Sequence, residues 1–416
     1  MGNPSNQNGK KEFIPYWFKV VIVFFLGWIA LYATRAVLNG VMDDIQGEFG
    51  LTGAQLGLIS SIFFIGYAGM NIPAGILGDK IGKKKILVPG VIIFGILAAV
   101  TGMMPTFLLF MVAWLFVGIF QGVYYGPQYG LSTETIPAKH ITLGSAVINS
   151  GMAFGLSLGY FISSYTVGTL GMSWRSPFII IAIPVVLVGI AMWWIIKEKP
   201  KSQEQKATEN GGEKLKISEL FKNKNLIFAY ITIFGAIYAF FVVVTWIPYY
   251  LQHARGIDGT EIAVVASLVP WAAIPGSILF SWIADRMGKR RPVLLVMLPL
   301  SIVAIVSIVA FDNMYVLYAA LIGYGIFGKI STNPVLVAVV ADNAPKHALG
   351  TAFGVYNFIG MCGSILAPYI TGLLTDITGS LNAGFYFAAV LLGISFIAVL
   401  LIDENNRPNI EGATKE

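Results

Sequence analysis

The sequence predicts an all-α membrane protein, with twelve transmembrane helices arranged as two pseudo-symmetric six-helix bundles. Three observations carry that reading: the composition, the number of long apolar runs, and a repeat at one fixed offset. The chain has 416 residues, 56% hydrophobic and 12% charged, about half the charged share usual in a soluble domain. A water-facing surface cannot be built from so few charges. Twelve helices of roughly 20 residues, each crossing about 30 Å of hydrocarbon, fit within this length and leave enough chain for loops.

The apolar runs fall at 16–42, 54–77, 86–104, 107–131, 143–166 and 177–196, and then at 226–250, 261–284, 292–311, 315–340, 350–374 and 382–402. Backbone groups in lipid must be satisfied within the segment, so each run is expected to be a helix. The first is too long for a signal-peptide core and lacks a small-residue cleavage site, so it reads as a retained span. Between the two sets of six lies KEKPKSQEQKATENGGEKLKISELFKNK, polar and Gly/Pro-punctuated, then periodic around Leu215, Ile217, Leu220 and Phe221. It reads as a flexible linker ending in a short interfacial helix. The expected division is an N-terminal bundle over 1–196, a cytoplasmic linker over 197–225 and a C-terminal bundle over 226–416.

The net charge of +6 lies in membrane-flanking loops, which argues for lipid rather than nucleic acid as its partner. Of the 27 Lys and Arg residues, Arg175 and Arg255 fall in loops on one side, Arg35 and Lys329 lie inside spans, and the remaining 23 lie on the other side. By the positive-inside rule that side, with both termini, is cytoplasmic, which places the chain as a multi-pass protein of the cytoplasmic (inner) membrane.

The two sets of runs repeat each other. GILGDKIGKKK, with Gly75, Asp79, Lys80, Gly82, Lys83 and Lys84, recurs as SWIADRMGKRR, with Asp285, Arg286, Gly288, Lys289 and Arg290; Asp79 and Asp285 are 206 residues apart. PAKHITLGSA and PKHALGTA repeat at the same offset, from Gly144 to Gly350 and from Ser145 to Thr351. Such duplication is a recurring transporter plan that puts the substrate between the halves near the midplane.

The pattern G-x-x-x-D-K/R-x-G-K-K between the second and third runs, met by Gly75, Asp79, Lys80, Gly82, Lys83 and Lys84, is the signature loop of the major facilitator superfamily, which the chain resembles over nearly its whole length. LYATRAVLNGVMDDIQGEFGLTGAQLGLISSIFFIGYAGMNIPAGILGD and GTAFGVYNFIGMCGSILAPYITGLLTDITGS are similar to the anion:cation symporter family and its organophosphate antiporter relatives. The resemblance implies that spans 1, 4, 7 and 10 line a central cavity, and it puts Tyr32 and Arg35 where those families carry a tyrosine and a substrate-binding arginine. Where many of those proteins have an arginine and a glutamate in the fourth helix, this chain has Trp114 and Gln121, so it lacks the glutamate on which their proton coupling rests.

Charges at membrane depth are costly and mark function by default. Two basic side chains qualify, Arg35 and Lys329, the latter roughly 14 residues into the tenth run and about 21 Å along its axis. All 21 Asp and Glu residues fall in termini, loops or span ends. A cavity with two uncompensated cations attracts anions, and low-dielectric walls strengthen the attraction. The expected cargo is a small organic anion: a sugar acid, a carboxylate or a phosphate ester. Arg supplies a planar fork for such a group and Lys a compact charge. The alternatives are an Arg35 bonded to backbone carbonyls or facing headgroups, and a deprotonated or packing Lys329.

Gln121, Tyr124, Tyr125 and Gln128 in span 4, Tyr238, Thr245, Trp246 and Tyr249 in span 7, and Asn357 in span 11 offer donors and acceptors for hydroxyl groups, although helix packing or an interfacial aromatic belt explains each equally well. Asp79, Lys80, Lys83, Asp285, Arg286 and Lys289 of the repeated loops are expected to hold the cytoplasmic side shut in an outward-open state, with Glu134, His140, Asp342 and His347 as partners.

Other chemistries are poorly supplied. Cys362 is the single cysteine, so no intrachain disulfide or multi-cysteine metal site forms. The three histidines lack metalloprotease spacing, and no phosphate-cradling loop occurs, so no cofactor is expected and transport is gradient-driven. Gly155-Leu156-Ser157-Leu158-Gly159 matches a hydrolase elbow but sits in an apolar helix with no strand before it. Gly151, Gly155 and Gly159 form instead a small-residue stripe for close helix approach. The expectation is a secondary transporter acting as a monomer, coupled to a proton, sodium or a counter-anion, and not an enzyme. The weighed alternatives are a drug or lipid exporter of the same fold and a polytopic membrane sensor.

Overall fold

The computed structural model describes residues 15–197, 220–345 and 349–404. Among them twelve helices are long and apolar enough to cross a membrane, and no strand occurs. Spans 1 to 6 are Tyr16–Asn39, Gly53–Ile81, Lys83–Gly102, Phe107–Thr135, Leu143–Thr169 and Ser176–Ile195; spans 7 to 12 are Lys224–Arg255, Thr260–Met287, Arg291–Ala310, Met314–Asn343, Thr351–Thr378 and Asn382–Leu400. An even number of spans puts the start of span 1 and the end of span 12 on one face, here the near face; the opposite one is the far face. Of the expected interfacial helix, Leu220 and Phe221 are described, whereas Leu215 and Ile217 lie outside the described residues, as does His347.

Polar residues set the helix ends. Thr52 opens span 2 with a capping box: its hydroxyl accepts from Gln55 N, and its own N–H donates to Gln55 Oε1 at 3.0 Å. Asn223 and Asn313 cap spans 7 and 10 through their side-chain oxygens. Span 1 stops at Asn39, short of the 16–42 run, and a separate short helix, Met42–Phe49, lies beyond it on the far face.

The glycine stripe of span 5 does what its spacing predicts. A Cβ on Gly151 or Gly155 would lie 2.6 Å from the carbonyl oxygens of Phe25 and Ile29, and one on Gly159 would overlap that of Ala33. Span 5 therefore lies directly on the backbone of span 1, a contact no larger residue permits. That packing fixes the helix that carries Arg35.

Spans 4 and 10 depart from the sequence reading, which took each as continuous. Span 4 is two helices, Phe107–Gly122 and Tyr125–Thr135; span 10 is Met314–Phe327 and Lys329–Asn343, with Gly328 between them. Gly122 and Gly328 are again 206 residues apart. Any side chain at Gly328 would overlap the Tyr324 carbonyl, so the break is tied to glycine. Paired interruptions at matching positions are a feature of transporters built from repeats.

Candidate functional site

A cavity with about 400 Å³ of atom-free space, its open mouth included, lies beside Arg35. Span 1 contributes Tyr32, Arg35, Leu38 and Asn39; span 2 contributes Ser60, Phe63 and Phe64; Trp114, Leu156 and four residues of span 7, Phe240, Phe241, Val244 and Thr245, complete the wall. Span 2 thus supplies three lining residues where the resemblance implies spans 1, 4, 7 and 10. No Asp or Glu belongs to the wall.

Arg35 is buried, 9% exposed. Its guanidinium carbon lies 4.9, 5.1, 5.6 and 4.6 Å from the ring centroids of Tyr32, Phe63, Phe64 and Tyr67. The negative ring faces partly offset the cost of an unpaired cation, each by about 0.5 to 2 kcal/mol. Nε donates to Gln121 Oε1 at 2.9 Å, and Gln121 Nε2 donates to the Leu31 carbonyl at 3.5 Å. A neutral amide thus orients the guanidinium without cancelling its charge. Nη2 remains buried with no partner, and so do Trp114 Nε1 and Ser60 Oγ in the same wall. Buried donors are seldom left unsatisfied, and three around one space define where an acceptor belongs.

Lys329 is the first residue of the second half of span 10. Its Nζ lies 5.6 Å from the ring centroid of Phe240, a wall residue of the cavity, and no carboxylate forms an ion pair with it among the described residues. A positive side chain at the positive end of a helix dipole is doubly in need of an anion. A chain of rings links the two cations across the molecule: Arg35 over Phe64, Phe64 against Phe241 at 4.5 Å, Phe241 against Phe240 at 5.2 Å, and Lys329 over Phe240.

The other residues named from sequence are dispersed. Tyr32, Gln121 and Thr245 lie in or against the cavity wall. Tyr125 is 38% exposed and packs edge-on to Trp28. Tyr124 donates to the Phe24 carbonyl and Gln128 accepts from Trp28 Nε1, so both tie span 4 to span 1. Tyr238 and Trp246 are buried away from the cavity, Tyr238 against Phe387 and Trp246 against Tyr249. Asn357 is exposed on span 11 and outside the cavity wall. Ser60, Phe63, Phe64 and Tyr67 were not singled out from sequence, although their spacing of three to four residues puts them on one helix face.

On the far face the two sets of six helices are sealed together. Asp376 Oδ1 and Oδ2 accept from the backbone N–H groups of Gly53 and Ala54 at 2.6 and 2.8 Å, capping span 2 from span 11. Asp43 pairs with His253 at 2.9 Å, and Tyr249 donates to Gln46 at 2.8 Å. Deeper in, Ser61 donates to the Ile365 carbonyl at 2.6 Å, and Asn39 and Tyr160 donate to the Val244 carbonyl at 3.2 and 2.7 Å.

At the near face, Lys83 pairs with Glu134, and Arg290 pairs with Asp285 at 2.8 Å and Asp342 at 3.7 Å. Each of these pairs stays within one set. Arg286 stacks over Trp282 at 5.3 Å, and Lys80 and Lys289 are exposed.

A model of the Major Facilitator Superfamily matches residues 24–259 and 230–416. The chain belongs to that superfamily. It is similar to the hexuronate transporter of Bacillus subtilis, 25% identical over 399 residues that cover 92% of this chain and 93% of that one. It is similar to a probable galactarate/D-glucarate transporter of the same organism, at 26% identity with 94% and 92% covered. The phosphoglycerate transporter protein of Salmonella typhimurium is 23% identical, with 95% and 90% covered. These relatives are transporters of the anion:cation symporter and organophosphate antiporter group, to which the chain is similar. Among solved structures, a bacterial homolog of the human lysosomal transporter Spinster, in an inward-facing and occupied conformation, superposes with a TM-score of 0.81 at 16% identity, covering 93% of this chain and 97% of that one. That likeness concerns the fold. The protein is a multi-pass membrane transporter of the superfamily, and its relatives are transporters rather than enzymes.

Proposed function

We propose that this superfamily member carries a small organic anion, such as a sugar acid, carboxylate or phosphate ester, across the cytoplasmic membrane by alternating access. The observation that supports it best is the cavity whose buried polar groups without partners can each donate, Arg35 Nη2, Trp114 Nε1 and Ser60 Oγ, with no carboxylate in the wall. Such a wall offers a cation no carboxylate, and it offers an anion charge-assisted hydrogen bonds. Lys329, at the head of a broken helix, supplies a second positive charge next to the same aromatic wall. The named cargoes of the relatives, hexuronate, galactarate/D-glucarate and phosphoglycerate, are all anions.

In this reading the near face and both termini are cytoplasmic, and the bundles 1–196 and 226–416 rock about the cavity as a monomer, joined by the linker 197–225. The structure would then be the state closed to the outside. Asp79, Lys80, Lys83, Asp285, Arg286 and Lys289 would close the cytoplasmic face in the opposite state. Tyr125, Tyr238, Trp246 and Asn357 would meet cargo in that opposite arrangement. Without a carboxylate in the cavity, anion exchange is favoured over proton symport through a buried acid; a symport route would run through Lys329 or a protonated cargo.

The test is uptake by purified protein in liposomes. Labelled D-glucuronate should accumulate inside unchanged, an excess of a neutral sugar should not compete, and Arg35→Ala and Lys329→Ala should each abolish uptake while still inserting. Wild-type uptake by both variants would remove the two-cation site.

A further inference from the structure

We propose that Asn39 and Tyr160 form a buried latch of the far-side gate by bonding to the one carbonyl of span 7 that Pro248 leaves free. In an uninterrupted helix the N–H of residue 248 would bond to the Val244 oxygen. Proline has no N–H, and Pro248 lies inside the span-7 helix. Neighbouring helices usually satisfy such a freed group within a membrane protein. Here the neighbours belong to the other set of six: Asn39 Nδ2 at 3.2 Å, from the last residue of span 1, and Tyr160 Oη at 2.7 Å, from span 5.

The position gives the contact its role. Val244 and Asn39 both line the cavity, and Asn39, Tyr160 and Val244 are 6, 2 and 6% exposed, so the latch is the buried layer beneath the seal of half-buried Asp43, Gln46 and Tyr249 and exposed His253. The other prolines inside span helices, Pro73, Pro89, Pro184, Pro270, Pro275, Pro299, Pro334 and Pro368, free the carbonyls of Gly69, Lys85, Ile180, Ala266, Trp271, Leu295, Ile330 and Ser364. Among the described residues none of those accepts a side chain from the opposite set. Opening the far side must draw both donors off Val244 and admit water in their place. While the latch is made, the carbonyl is covered and the cavity is roofed.

The inference rests on the alternating-access reading, and the experiment separates the two. Spin labels at Met172→Cys and Tyr315→Cys, in a Cys362→Ser background, report the far face; labels at Lys139→Cys and Met287→Cys report the near face. Tyr160→Phe, which removes only the hydroxyl, should raise the far-open population roughly two- to tenfold, the worth of one neutral hydrogen bond. Pro248→Ala returns an N–H to the helix and should do the same. The double variant should not exceed the larger single effect, because both act on one carbonyl. Where the open population is small, the alkylation rate of Thr245→Cys by a membrane-impermeant maleimide reads it with the same expected ratios, and Asn39→Leu replaces Pro248→Ala should that variant not fold. Far-face opening without near-face closure would keep the latch and end alternating access. Reciprocal motion of the two faces, with far-open populations in Tyr160→Phe and Pro248→Ala equal to wild type, would overturn the latch.

Discussion

Arg35 shows how a membrane protein keeps a cation in its interior without a counter-ion. Four rings surround the guanidinium, Gln121 accepts from Nε, and Nη2 is left without a partner. Truncating one member of a buried charged pair costs binding heavily, so Arg35→Ala should weaken anion binding roughly a hundredfold or more. Arg35→Lys should recover only part of it, since the fork and its bond to Gln121 are lost. Trp114→Phe keeps the ring and removes one donor, and roughly tenfold weaker binding is expected; titration calorimetry reads both, and unchanged affinity in Trp114→Phe would take the indole N–H out of the site. Arg35 and Lys329 were legible in the sequence because each is an isolated charge in an apolar run. Ser60 was not, because a serine in a span is an ordinary packing residue until its hydroxyl is seen to lack a partner, and Trp114 was legible only as a departure from the relatives' arginine, not as a donor. Tyr238 and Trp246 looked equally suitable and turn into the packing of their own bundle.

Among the elements, the broken spans matter most. Apolar periodicity cannot reveal a one-residue interruption, which is why spans 4 and 10 read as continuous; the matching positions of Gly122 and Gly328 within the repeat were the available signal. Gly328→Ala should destabilise the protein by about 1 to 3 kcal/mol, because the Tyr324 carbonyl occupies the space a methyl group needs, and it should weaken binding by displacing Lys329; wild-type melting and affinity would show the break to be incidental. The far-face helix Met42–Phe49 gives a pH test. Glu48 accepts from Nη1 and Nη2 of Arg175 and from Trp174 Nε1, and the Arg175 bond, foremost, holds its carboxyl below the usual range. A lowered folded-state value stabilises the protein above the ordinary glutamate value and is lost as pH falls through the folded one. The melting temperatures of wild type and Glu48→Gln should therefore differ at neutral pH and converge in acid; a gap that persists in acid would assign the effect to shape rather than charge.

At the scale of the whole molecule, the duplicated plan was read from two sequence matches at one offset, and the span breaks repeat it. The conformation was beyond the sequence, because which face is sealed depends on contacts between residues hundreds of positions apart, such as Asp376 with Gly53. Asp376→Asn keeps the shape but loses the charge that caps span 2, and it should shift the population toward the far-open state by roughly two- to fivefold; an unchanged far-face distance distribution would make that contact neutral to gating. All of this presumes that the cavity exists to hold negative charge. The direct measurement is the thermal shift of purified protein with D-glucuronate beside glucose, in wild type, Arg35→Ala and Lys329→Gln. Stabilisation by the anion alone, absent from both variants, is the predicted result; equal stabilisation of wild type and both variants, or a shift with glucose as large as with glucuronate, would contradict it.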